Sequence, residues 1–390
     1  MTLQGTRTGW FTPAQEELRR ELADHLATEV EPRIADWEAA GRFPLREVLT
    51  GLADRGWLGM RFPEAVGGRG GSAWDHAVFA ESLGGLSSDS VGMAITVHND
   101  MVAPMIADSG REDAVERFLR PALTGRSVLA HAVSEAGAGS DVAAVAATAT
   151  PVDGGYLLSG TKRWVVGGLY ADAFAVLARL PEARGPFGHV LLMVPGDVEG
   201  VRALPGAPTL GLRAAGVAGT VEFDRVFVPE AHRLGGHGLG LVVQLRQFEQ
   251  ERIISACRAL AISSRLLDRT QERLAERTSF GAPIGTRQDV AFRLSRLRAE
   301  VESARQLAYT AIDRWQNGGE HRSASAAVKL RSSRLARTVA RECLHLHGSV
   351  GQLASNPANR AFRDARLFSI STGSDEMMMT TLARLAGWDD

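Results

Sequence analysis

Two segments carry residue types that could do chemistry: Ser134-Glu-Ala-Gly-Ala-Gly-Ser-Asp141, directly after the apolar run 128–133, and Gly160-Thr-Lys-Arg-Trp164. A strand that ends in a loop of small residues exposes several backbone N–H groups at once. Ser140 adds a hydroxyl donor, so the loop can wrap a phosphate oxygen. Gly137-Ala-Gly139 lacks the third glycine of a dinucleotide fingerprint, and no glycine loop here ends in Gly-Lys-Ser/Thr. Alone, such a loop is more often a turn than a cradle. Carboxylates able to move a proton occur in Phe248-Glu-Gln-Glu-Arg-Ile253, although a charge cluster on a helix is ordinarily a solvated face. Cys343, His345 and His347 alternate as metal ligands on a strand would, but a helix end, where they fall, makes alternate residues diverge.

These segments need elements to hold them. Thr12-Pro-Ala-Gln15 reads as a helix start with a capping box, and Leu18, Leu22, Leu26, Val30, Ile34 and Trp37 recur as one apolar stripe. Further helices are predicted at 46–56, 73–84, 91–108 and 111–124, with the glycine-rich 66–71 as a loop. Between about 127 and 236 short valine- and leucine-rich runs predict strands at 127–133, 156–166, 173–179, 189–194, 199–204 and 218–228. Long helical patterns return at 241–277, 287–317 and 322–346, with a shorter one at 375–386, which argues for a bundle. The division is 1–126 helical, 127–236 β and 237–390 helical.

Composition narrows the function classes. The chain has 390 residues, 45% of them apolar, enough to bury a core. With 44 basic and 45 acidic side chains, its net charge of −1 gives no overall field toward nucleic acid or an acidic membrane surface. The two cysteines, Cys257 and Cys343, form no CxxC pair and read as buried thiols of a reducing compartment. The segment 1–10 lacks the apolar core of a signal peptide, and no run approaches the roughly 18 apolar residues of a membrane span. The expected location is cytoplasmic.

The two opening segments resemble the flavin-binding segments of the acyl-CoA dehydrogenase family, and the resemblance runs along nearly the whole chain in order. Phe62-Pro-Glu-Ala-Val-Gly-Gly-Arg-Gly70 is similar to that family's early Tyr-Pro-Glu-x-x-Gly-Gly-x-Gly segment. Val221-Glu-Phe-Asp-Arg-Val-Phe-Val-Pro229, Glu276-Arg-Thr-Ser-Phe-Gly281 with Gln288, Leu346-His-Gly-Ser-Val-Gly351 and Arg363-Asp-Ala-Arg366 follow. The resemblance implies an α+β, mainly α fold: an N-terminal helical domain, a central β-sheet or barrel domain and a C-terminal four-helix bundle, with FAD between the last two.

It also implies a chemistry. Removing hydrogens from Cα and Cβ of a thioester needs a carboxylate for the α-proton, a sink for the β-hydride and donors on the carbonyl oxygen. FAD is the family's sink. Most members place the base at the position occupied here by Thr372, within Ile370-Ser-Thr-Gly-Ser-Asp-Glu376. In the isovaleryl, long-chain and prolyl-carrier-protein branches the base stands instead on the long helix before an arginine, which matches Glu251 and Arg252. Burial should then raise the Glu251 pKa toward neutrality. The backbone N–H of Thr372 remains a donor to the thioester oxygen. By the same carry-over Ser134 lies near the flavin ring, Ser140 binds the pyrophosphate and Trp164 packs on the isoalloxazine, with a buried core tryptophan as the alternative. The family's next hydroxyl residue falls at Val166, which can offer only its backbone N–H. Arg277, Phe280 and Gln288 match residues that reach the FAD of a neighbouring subunit, which implies a homo-oligomer, expected as a dimer of dimers. His345 and Ser349 depart from the family's glutamine and glycine. The implied partners are an acyl thioester, on coenzyme A or a carrier protein, and an electron-transfer flavoprotein or oxygen as acceptor. A flavin oxygenase or oxidase on the same scaffold is one alternative, and a non-catalytic acyl-binding partner subunit is another.

Overall fold

The computed structural model describes residues 9–181, 185 and 187–388. Residues 1–8, most of the segment read as lacking a signal-peptide core, lie outside them. Before the sheet come α1 (Pro13–His25), α2 (Ile34–Ala40), α3 (Leu45–Ala53), α4 (Ala73–Leu83), α5 (Asp89–Thr96), α6 (Ala103–Ala107), α7 (Glu112–Ala114) and α8 (Arg120–Leu123). The strands are β1 (Leu129–Ala132), β2 (Thr148–Val152), β3 (Gly155–Val165), β4 (Ala173–Arg179), β5 (His189–Pro195), β6 (Val201–Pro205), β7 (Ala218–Pro229) and β8 (Arg233–Leu234). Then follow α9 (Gly240–Glu276), the small hairpin β9 (Thr278–Ser279) and β10 (Ala282–Pro283), α10 (Gln288–Gln316), α11 (Arg322–Leu346), α12 (Pro357–Asp364) and α13 (Asp375–Leu385). The predicted α–β–α order is present.

Local chemistry explains the departures. Thr12 and Gln15 form the expected reciprocal cap. The helices predicted over 12–37, 91–108 and 111–124 are interrupted by wider π turns at Leu26–Val30, Val97–Val102 and Val115–Leu119. Each is followed at once by a proline, Pro32, Pro104 or Pro121, whose missing N–H removes a bond to the residue four earlier and opens the ladder there. Strand β2 escaped the sequence reading because proline interrupts it. It pairs antiparallel with β3 around Asp153-Gly154, a hairpin dipeptide whose glycine takes φ +73°. Helix α12 carries an overlooked start signal, Asn356 capping Ala358 N–H with Pro357 in the first turn.

The sheet runs β6-β7-β3-β2-β4-β5-β8, with β1 parallel to β4. Strand β3 pairs with β7 through a bulge between Leu158 and Gly160. Gly160 has φ +147°, and a Cβ there would stand 2.5 Å from the Ala147 methyl, so only glycine fits.

Packing divides the chain into two units. The first comprises Met1–Ala39, Ser72–Gly92 and Arg252–Asp390. Its core joins Ile253, Leu260 and Leu267 of α9 to Leu297, Val301 and Ile312 of α10 and Val328, Leu335 and Val339 of α11. Both free cysteines are buried in it. The second comprises Ala40–Gly71 and Met93–Glu251. Its sheet buries Phe174, Val176, Val190, Leu192, Val221 and Phe223. Among the described residues no helix is long and apolar enough to cross a membrane.

Candidate functional site

In the second unit the two opening segments are tied together. The Ser134 carbonyl, just beyond β1, accepts from the Arg163 N–H at 2.8 Å. Beside it the buried Lys162 ammonium donates to the Val133 carbonyl at 3.0 Å and to Glu135 Oε1 at 2.7 Å. Glu135 also accepts the N–H groups of Ala146 and Ala147 at 2.6 and 3.0 Å. Burial lowers the Lys162 pKa, with Glu135 only partly opposing it. The less buried carboxylate gains: against the desolvation that would raise it, Lys162 and the two N–H groups hold Glu135 below the usual carboxylate range. The two side chains form a salt bridge at 2.7 Å. The sequence reading passed over both residues although each lies inside a quoted segment, Glu135 next to Ser134 and Lys162 two before Trp164.

The loop itself is open. Ser134 is half-buried and Ser140 exposed. A Cβ built on Gly137 or Gly139 meets nothing within 4 Å, and neither glycine has a left-handed φ. The protein's own packing therefore does not require glycine there. Their value is the room they leave for a group approaching the backbone. Trp164 ends β3 at φ +61° and is 57% exposed, with the Arg163 guanidinium 5.1 Å from its ring. A tryptophan in the left-handed region is strained, and such strain clusters where a side chain has a task. The alternative of a core tryptophan is thus corrected: the indole face is presented outward. Half-buried Val166 follows just past the strand.

Glu251 lies in α9 and is only 1% exposed, which overturns the solvated-face alternative for this carboxylate. In the first unit, Arg252 Nε donates to the Thr372 carbonyl at 3.0 Å. Thr372 is buried, with φ +57°, and Gly373 follows at φ +100°. Buried Lys329 of α11 grips the same loop from both sides, donating to the Phe368 carbonyl and, at 3.4 Å, to that of Gly373. The chain beyond is fixed by Ser374, which caps α13, and by Asp375, which accepts from Ser333 at 2.6 Å and Arg337 at 2.7 Å. Thr372 is thus held by three elements. Glu376 is exposed, and hydrogen bonds from its own backbone and Ser374 keep its pKa low.

Arg277, Phe280 and Gln288 gather around the β9–β10 hairpin. All three are exposed, Phe280 to 95%, and Phe280 has φ +52°. The Arg287 guanidinium lies 5.4 Å from its ring. His345 and Ser349 are exposed, whereas His347 Nδ1 donates to the Cys343 carbonyl of its own helix at 2.8 Å. Among the described residues no group of three histidines, cysteines or carboxylates is placed to hold a metal.

An open small-residue loop with exposed N–H groups and an outward indole, rigidly joined, fit a cofactor carrying both phosphate and a flat ring system. FAD is such a group. Comparison with known proteins agrees. The family descriptions "Acyl-CoA dehydrogenase, N-terminal domain", "middle domain" and "C-terminal domain" match residues 12–126, 130–226 and 238–387. Benzylmalonyl-CoA dehydrogenase of Aromatoleum aromaticum is 30% identical over 96% of this chain and 98% of its own. The mitochondrial long-chain specific acyl-CoA dehydrogenase of Sus scrofa is 28% identical over 96% and 86%. Among solved structures, an acyl-CoA dehydrogenase from Geobacillus kaustophilus superposes with a TM-score of 0.91 at 28% identity, covering 97% of this chain and 99% of that one. A putative acyl-CoA dehydrogenase from Mycobacterium smegmatis gives 0.94 at 28%, covering 98% and 100%. A glutaryl-CoA dehydrogenase from the same organism, solved with FADH2, shares the fold at a TM-score of 0.90 and 22% identity. Motif order, fold and whole-chain matches converge: the chain belongs to the acyl-CoA dehydrogenase family of FAD-dependent flavoprotein oxidoreductases.

Proposed function

We propose that this protein forms an α,β-double bond in an acyl thioester and that Glu251 is the base that takes the α-proton. The observation that carries the reading is the burial of the Glu251 carboxylate on α9, in a chain with no carboxylate at Thr372. A buried carboxylate can exchange a proton without competing water. FAD, when bound, supplies the acceptor for the β-hydride. Ser134, Ser140, the Val166 N–H and Trp164 would hold it within one subunit, and Arg277, Phe280 and Gln288 would reach the FAD of a neighbour in a homotetramer. The full exposure of Phe280, in an unfavourable backbone region, supports that assignment. The Thr372 N–H would donate to the thioester oxygen, with Arg252 fixing the next peptide through the Thr372 carbonyl. The thioester is carried on coenzyme A or on a carrier protein, and the electrons leave to an electron-transfer flavoprotein or to oxygen. A cytoplasmic setting suits the two buried free thiols.

Val166 favours a second reading, a flavin oxygenase or oxidase, because its side chain cannot bond the reactive ring. Anaerobic mixing of the purified yellow protein with acyl-CoA and acyl-carrier thioesters, wild type beside Glu251→Gln, separates the two. Flavin bleaching that drops by about a hundredfold or more in the variant supports Glu251 as base. Bleaching that survives removes the assignment. No bleaching, with rapid oxygen uptake once the flavin is reduced chemically, supports the oxygenase. A colourless protein that binds no FAD supports the non-catalytic partner subunit.

A further inference from the structure

The face of α9 that carries Glu251 is polar where it enters the second unit. Gln244, Gln247 and Glu251 follow one another at helical spacing, and all three are buried. Gln247 is satisfied, since its amide donates to the Asp100 carbonyl. Asp100, itself buried, accepts from the Asn99 amide at 2.6 Å. Gln244 is different. Its Oε1 meets His131 Nε2 at 2.6 Å, whereas its Nε2 has no hydrogen-bond partner among the described residues and no exposure to solvent. Loss of hydration, only partly offset by Gln244, lowers the His131 pKa to about 4, so the ring is neutral at physiological pH and donates to the amide oxygen. That bond turns the Gln244 NH2 away from His131. A buried donor without an acceptor is costly, and a group this isolated calls for a specific occupant.

We propose that the acyl group taken beside Glu251 bears an uncharged oxygen, a hydroxyl or a carbonyl, beyond Cβ, and that Gln244 Nε2 donates to it. The inference rests on the dehydrogenase reading above. A purely apolar acyl chain would leave the amide dry and unpaired. A carboxylate is disfavoured by charge: Asp100 packs on this face of α9, its carbonyl accepting from Gln247 one turn along from Gln244, and the cations felt here are already engaged, Arg61 by Asp108, Asp100 and a 3.0 Å bond to Gln250, and Lys162, which acts on His131, by Glu135 at 2.7 Å. A neutral acceptor satisfies the amide without adding an unbalanced charge.

Titration calorimetry on the FAD-loaded Glu251→Gln variant, which binds without turnover, tests this with four coenzyme A thioesters: pentanoyl, γ-hydroxypentanoyl, γ-oxopentanoyl and glutaryl. The hydroxy and oxo compounds are expected to bind at least about tenfold tighter than pentanoyl, and glutaryl no tighter than pentanoyl. Adding Gln244→Met should reduce that advantage to about twofold while leaving pentanoyl binding unchanged. Equal binding of all four, a preference for glutaryl, an equal loss for every compound on Gln244→Met, or no binding at all overturns the proposal. Should the Gln244→Met protein not fold, the ranking with Gln244 present decides alone. Bleaching is followed in the same anaerobic titrations, so a failure of Glu251 as base shows as flavin reduction and a failure of this proposal as a flat binding ranking.

Discussion

Replacing Lys162 by methionine should loosen the two cofactor segments together. The ammonium is fully buried and Glu135 nearly so, and they meet at 2.7 Å. Removing one partner of a buried ion pair typically costs about 3–5 kcal/mol, because the other charge is left in a poor solvent. Here Glu135 keeps the Ala146 and Ala147 N–H groups, and methionine refills the volume, so the lower end of that range, about 3 kcal/mol, is expected for Lys162→Met. Glu135→Gln should cost more. Its amide turns an NH2 toward the Ala146 N–H, a donor facing a donor, and leaves the buried Lys162 ammonium without a countercharge. Urea unfolding measures the stability, and the flavin-to-protein absorbance ratio after gel filtration reports the cofactor. With Ser134 and Trp164 no longer tied except through the Arg163 N–H, the variant should lose most of its FAD. A midpoint shift worth less than about 0.5 kcal/mol together with an unchanged flavin ratio would refute the reasoning, since it would place the pair outside the structure that holds the cradle.

Two further outcomes follow from buried groups. His98 is fully buried and complete as a neutral ring, its Nε2 on the Ala122 carbonyl at 3.2 Å and its Nδ1 accepting from Leu129 N–H at 3.1 Å. Desolvation lowers its pKa to about 4 from the ordinary 6.5. The unfolded chain therefore binds the extra proton first, so this contribution is present above about pH 6.5 and lost as pH falls toward 4, up to about 3 kcal/mol by linkage. His98→Gln, which can donate and accept at similar positions, should flatten that part of the stability-against-pH profile measured by chemical unfolding. A profile unchanged by the substitution would remove His98 as its source. Gly160→Ala should destabilise the β region by about 1–3 kcal/mol, since the new methyl meets Ala147 at 2.5 Å in a backbone region that disfavours alanine, and thermal unfolding would show it. A neutral result would mean that the β3 bulge yields easily.

Much of the architecture was legible because it is periodic. The α9, α10 and α11 stripes and the β-branched runs of β3, β4, β5 and β7 repeat often enough that one misplaced residue does not hide them. Elements set by a single local event were harder to read. The π turns precede prolines, β2 hides behind Pro151, and α12 depends on Asn356 as cap. The cofactor segments were legible as motifs, but the reason Trp164 faces outward was not, because a backbone angle of φ +61° is imposed by the strand's end and has no signature in composition.

Taken alone, the order of residues determined the α–β–α plan, the small-residue loop with its serines, the absence of a carboxylate at Thr372 and the presence of one at Glu251. Each is a matter of which chemical group stands at which place in the chain. Only the tertiary structure decided which of those groups leave water. It buried Glu251 and left Glu376 exposed, joined Lys162 to Glu135 27 positions away in the chain, and clamped the Thr372 loop with Arg252 and Lys329. The physical reason is that burial and pairing depend on what folds over a residue from elsewhere, and that partner is distant in sequence even when it is 3 Å away in space.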